Sequence, residues 1–115
     1  MLPPAPDEHF LLGALRLVLH IPGSRSLKDR RRVVRSFVDR VRARHDAAVA
    51  EVGHLEDVSR VVIGVSVAGN DRRVLQARLE AIAGDADRLP DAVLVDRAFD
   101  IHPFYGERTA ALPPR

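Results

Sequence analysis

Apolar residues in this chain recur with a spacing that switches between two and about three and a half residues, and the order of the switches limits the folds open to it. From Phe10 to His20 the spacing is two. Leu11, Leu15, Leu17 and Leu19, with Gly13 among them, fall on one face of an extended segment; Phe10, Leu12, Ala14, Arg16 and Val18 fall on the other. Ile21-Pro22-Gly23-Ser24 then interrupts the pattern with turn residues. From Leu27 to about Arg44 the spacing is helical, and Leu27, Val34, Val38 and Val41 form one stripe with Phe37 on its flank. Ser26 suits the N-cap of this helix, and Asp29, three residues on, makes a shortened capping box.

Two strand patterns follow. Ala47 to His54 is small and half-alternating, and Arg60 to Ala68 places Val61, Ile63, Val65 and Val67 on one face. Gly53-His54-Leu55-Glu56-Asp57 reads as the loop between them. Asn70 is offered as the N-cap of a second helix, with Leu75, Leu79, Ile82 and Ala86 at helical spacing and Pro90 beyond its end. A last strand, Ala92 to about His102, carries Val93, Val95, Phe99 and Ile101 on one side, interrupted by Arg97. The order β-α-β-β-α-β predicts a ferredoxin-like α+β fold: a four-stranded antiparallel sheet with both helices on one face. Residues 10–102 form the expected domain, between a Pro-rich N-terminal tail at 1–9 and a C-terminal tail at 103–115 that includes Pro103, Pro113 and Pro114.

A length of 115 residues fits one domain. The absence of cysteine removes disulfides, thiolate metal sites and cysteine nucleophiles from the reading. Residues 1–9 carry Pro3, Pro4, Pro6, Asp7 and Glu8, unlike a secretory leader. The longest mostly apolar stretch, Phe10 to Leu19, contains Arg16 and is too short for a bilayer. A cytoplasmic location is expected.

The formal net charge of +2 conceals an asymmetry. Nine of the 18 Lys and Arg residues are Arg25, Lys28, Arg30, Arg31, Arg32, Arg35, Arg40, Arg42 and Arg44, opposed in that stretch only by Asp29 and Asp39. On the helix, Lys28, Arg31, Arg32, Arg35 and Arg42 form a stripe about 120° from the apolar one. Guanidinium forks of this kind pair with phosphate. The segment Pro22 to Lys28 adds Ser24, Arg25 and Ser26 at a helix N-terminus, where free N–H groups favour an anion. Two readings stand for that segment: an anion contact, or a cap with Arg25 in water. The P-loop spacing is absent. For the stripe the alternatives are phosphate contact and a solvated face. A membrane partner is not expected, because the apolar stripe is needed for the core and interfacial aromatics are missing. Nor do Val62, Gly64 and Ser66 offer the paired aromatics on which an RNA-recognition motif stacks bases.

His9, His20, His45, His54 and His102 form no metal-spaced pair. His20, Glu51 and His54 could converge in a small acid–base cluster, against the plainer reading of scattered histidines. Asp96 and Asp100 share a strand face without further pattern. No nucleophile elbow occurs. No enzyme, metal or cofactor is expected.

The run Leu15 to Ser36, with Pro22-Gly23-Ser24-Arg25-Ser26-Leu27-Lys28-Asp29 followed by Arg30 and Arg31, closely resembles the opening of the YlxP-like bacterial family, domain of unknown function 503. Ala50-Glu51-Val52, the strand around Val62 to Val67 and the Asn70-Asp71 helix start fit as well. After Ala50-Glu51-Val52, Gly53-His54-Leu55-Glu56-Asp57-Val58 keeps the family's His and lacks its usual Trp. The resemblance implies the ferredoxin-like fold and no established catalysis. Members are often encoded beside translation-initiation and ribosome-maturation genes, which implies a ribosome-related role. The expected function is an RNA- or ribosome-associated accessory factor that contacts phosphates through Arg25, Lys28, Arg31, Arg32, Arg35 and Arg42, with Ser24 and Ser26 supporting an anion. Ribosomal RNA or a ribosomal subunit is the expected partner. The alternative is a protein-interaction module that forms a homodimer through the free face of its sheet.

Overall fold

The computed structural model describes residues 2–106. Pro113 and Pro114 of the expected C-terminal tail lie outside these residues. The elements are β1 (Leu11–His20), α1 (Leu27–Arg44), β2 (Ala48–Gly53), β3 (Arg60–Gly69), α2 (Arg72–Asp87) and β4 (Val93–Pro103). The strands form one antiparallel sheet in the order β2-β3-β1-β4, the ferredoxin-like α+β arrangement that the sequence predicts.

Pairing explains the core. Leu15 faces Val65, Leu17 faces Ile63 and Leu19 faces Val61 across β1 and β3, and directly opposed residues share one side of a sheet. Those side chains meet Val34, Phe37 and Val41 of α1 and Leu75, Leu79, Ile82 and Ala86 of α2, all buried. Gly13 is what lets α2 come close: a Cβ there would lie 2.9 Å from Val67 Cγ2 and 3.2 Å from Leu79 Cδ1.

Two local expectations are corrected. The N-cap of α2 is Asp71, not Asn70; its carboxylate accepts from the backbone N–H of Arg73 and Val74. In β4 the register shifts opposite Val18 and Leu19, so Leu19 pairs with Leu94 and Val18 with Asp96. The extra residue at this bulge, Val95, breaks the alternation. Leu94 packs on the core in place of Val93, which pairs with His20 on the opposite face. Ile101 is buried, while Phe99, on the same edge strand, stays half exposed.

The largest fully buried side chain is a charged one. Arg30 of α1 is 2% exposed. Its Nη2 donates to Glu51 Oε1 of β2 at 2.9 Å and to the Leu55 carbonyl at 3.2 Å, and its Nη1 donates to the His54 carbonyl at 2.8 Å and more weakly to that of Arg60 at 3.4 Å. One guanidinium therefore ties α1 to an edge strand and to the β2–β3 loop. That loop also carries His54 at a left-handed φ of 54°.

A second buried charge joins the helix ends. Asp85 of α2 accepts from His45 Nε2 at 2.9 Å and Arg88 Nη2 at 2.9 Å, with Arg44 Nη1 at 3.5 Å. Burial pushes its carboxyl up, but the hydrogen bonds from His45 and Arg88 and the charge of Arg44 outweigh burial and hold it below the ordinary 3.8.

Arg30→Met should cost about 3 kcal/mol in urea unfolding, because it strands Glu51 and three carbonyls. Arg31→Ala, on the exposed side, should change stability by no more than about 0.5 kcal/mol. Asp85→Asn should cost about 1–2 kcal/mol at neutral pH. Because the folded carboxyl lies below its unfolded value, this contribution is complete above 3.8 and is lost as pH falls through the folded value. The two proteins' urea midpoints should therefore converge in that acid range.

Candidate nucleic-acid interface

With Arg30 turned inward, the neighbouring cations of α1 face outward. Lys28, Arg31, Arg32 and Arg35, with Ser36 and Asp39, line an open groove of about 520 Å³. All four cations are exposed. Among the described residues none of them has an ion pair, whereas Arg16, Arg30, Arg44 and Arg88 do. Four unpaired positive charges on one wall form a surface suited to phosphate oxygens.

Asp39 modifies the expected stripe. It stands eleven residues after Lys28, about 20° from it around the helix, and so sits within the cationic edge. Arg42 is exposed farther along α1 and does not line the groove. The stripe is a cluster of four cations, then an acid, then one more cation.

The loop before α1 is occupied with its own backbone. Ser26 caps the helix, its Oγ accepting from Asp29 N–H at 3.1 Å, while Asp29 accepts from Arg25 N–H at 3.2 Å. Ser24 is nearly buried, and its hydroxyl donates to the Ser26 carbonyl at 3.0 Å. The two hydroxyls thus serve the turn and the cap, and the exposed Arg25 side chain is what this loop adds to the cationic face.

His20, Glu51 and His54 are not assembled into one cluster. Glu51 lies opposite Ile63 on the helix side of the sheet and pairs with Arg30. His20 follows Leu19 on β1 and so lies on the other side, opposite Arg60. His54 is exposed and gives its carbonyl to Arg30. Among the described residues, no three His, Asp or Glu side chains are grouped to hold a metal ion. Asp96 pairs with Arg16 at 3.3 Å, and Asp100 lies 3.9 Å from His102.

The free sheet face bears a shallow groove of about 570 Å³ lined by Ala14, Ala48, Ala50, Gly64, Ser66 and Ala98, among others. Val52, the extra residue where the β2–β3 register shifts, leans over it; a Cβ on Gly64 would lie 3.1 Å from Val52 Cγ1. The two central strands present Ala14, Arg16, Gly64 and Ser66 here rather than stacking aromatics.

The sequence reading missed the inward turn of Arg30, although the signal was available. At about 100° per residue, Arg30 falls between Phe37 and Val41, inside the apolar stripe.

A family model described as "Protein of unknown function (DUF503)" matches residues 12–98. No curated protein matches the chain. Among solved structures, the chain is similar to the de novo designed protein Foldit4, with a TM-score of 0.46 and 12% identity over 85% of this chain and 99% of that one.

Ser26→Ala should lower stability by about 1 kcal/mol through loss of the cap. It should leave the affinity of α1 for inorganic polyphosphate unchanged. Urea midpoints and a polyphosphate titration on the same variant check both parts.

Proposed function

We propose that this chain, which belongs to the DUF503 family of proteins of unknown function, is an RNA-binding accessory factor of ribosome maturation that grips phosphates with the outer face of α1. The observation that carries this reading is the set of unpaired, exposed cations Lys28, Arg31, Arg32 and Arg35 on one groove. Lys and Arg side chains displace the counterions of a phosphate backbone, and affinity gained this way falls steeply with salt and is largely indifferent to sequence. Arg25 and Arg42 extend the field at either end, and Asp39 limits it. The ribosomal direction rests on the genes beside which members of the resembled family are often encoded. In this reading the protein works in the cytoplasm, by binding and without catalysis. Among the described residues no helix is long and apolar enough to cross a membrane.

A second reading has support of its own. The small-residue groove on the free sheet face would let another protein surface approach closely, and Arg16 and Asp100 on its wall would give a second copy charges of both signs. Mass in solution, against 12.7 kDa for one chain, tests that self-association.

Co-sedimentation with ribosomal subunits and their precursors should be salt-sensitive, with a log–log slope near −3 for about four phosphate contacts on single-stranded RNA. The triple variant Lys28→Glu, Arg31→Glu, Arg35→Glu should lose binding and keep the circular dichroism of the parent, since all three residues are exposed. Asp39→Ala should tighten binding by about twofold to threefold. Unchanged binding in the triple variant would remove α1 from the interface.

A further inference from the structure

A second recess adjoins the cationic groove. It is a cleft of about 520 Å³ between the loop that follows β1 and the loop that precedes β4, with apolar walls from Pro22, Val33, Pro90 and Ala92. Asp29 and Asp91 also line it. Arg32 lines both this cleft and the groove, so the two meet along one turn of α1.

We propose that the cleft receives one unstacked base of a single-stranded RNA, with guanine preferred, while the flanking phosphates lie on Lys28, Arg31 and Arg35. The proposal rests on the phosphate-binding reading of α1 and adds a base to it. Proline rings and a valine offer apolar surface to the faces of a base, and a base can enter only where it is unpaired. Acids on the wall exclude phosphate from the cleft and leave it on the neighbouring cations. A carboxylate accepts hydrogen bonds only. The N1–H and N2–H groups of guanine give it two adjacent donors. Uracil gives one N–H between two carbonyl oxygens, which a carboxylate repels. Asp91 is the exposed acid of the cleft, whereas Asp29 already accepts from Arg25 N–H.

Fluorescence anisotropy with labelled UUUUU and UUGUU pentaribonucleotides tests the assignment at low salt. The guanine-containing strand should bind about tenfold tighter, as expected for one good bidentate contact. Asp91→Ala, at an exposed loop position, should erase that preference and leave UUUUU binding no weaker than in the parent. The Lys28→Glu, Arg31→Glu, Arg35→Glu variant should lose both strands. Equal affinity for the two strands, still lost in the triple variant, would overturn the base cleft and leave the phosphate reading standing. A guanine preference that survives Asp91→Ala would also overturn the assignment to this cleft. Failure of the parent to bind either strand would overturn both readings.

Discussion

The guanidinium of Arg30, enclosed between α1 and the edge of the sheet, sets the orientation on which the rest of the molecule depends. Removing a charge from water costs several kcal/mol unless it is paired and its donors are used. Arg30 meets those terms with Glu51, two loop carbonyls and the carbonyl of Arg60 at the start of β3, although among the described residues its Nε finds no partner. These contacts fix the rotation of α1 about its own axis. Once Arg30 points inward, helical geometry places Arg31 about 100° away, Arg35 about 140° away and Lys28 and Arg32 about 160° away. The run of basic residues is thereby divided: one cation is spent on the fold, and its neighbours are presented to solvent. At the other end of the helix, Arg44 and His45 meet the buried Asp85 of α2. Each end of α1 is thus held by a buried charge, with an apolar stripe between.

Much of this architecture was legible because its causes are local. Alternation in β1 and β3 and helical spacing in α1 and α2 report directly which side chains leave water. What escaped was set by neighbours distant in sequence. The bulge that turns Leu94 inward and Val93 outward appears only when β4 is laid against Val18 and Leu19. Asn70 and Asp71 are adjacent and both are good caps, so composition alone could not separate them. Arg30 is the instructive case. Its position in the apolar stripe was visible, but the partners that make its burial tolerable lie on β2 and the β2–β3 loop. The candidate interface was legible to a similar degree: the cations and the Ser26 cap were identified, whereas the placement of Asp39 among the cations and the turn of the Ser24 hydroxyl onto the Ser26 carbonyl emerged from the folded geometry.

In the proposed function, the division of labour on α1 would also separate two kinds of recognition. Unpaired cations on an open groove attract phosphate with little regard for sequence. A cleft with apolar walls and acids on its rim, sharing Arg32 with that groove, offers the different chemistry that reading a base needs. The free sheet face stands apart from both, with its small side chains and the Arg16–Asp96 pair, and a second protein surface there would leave the outer face of α1 open.

The most direct test of the account is an alanine scan through Lys28, Arg30, Arg31, Arg32 and Arg35, reading urea stability and affinity for ribosomal RNA on every variant. The account predicts a clean division: Arg30→Ala loses stability, and the other four lose RNA affinity with stability unchanged. RNA affinity indifferent to all four outward residues, or stability indifferent to Arg30, would contradict it.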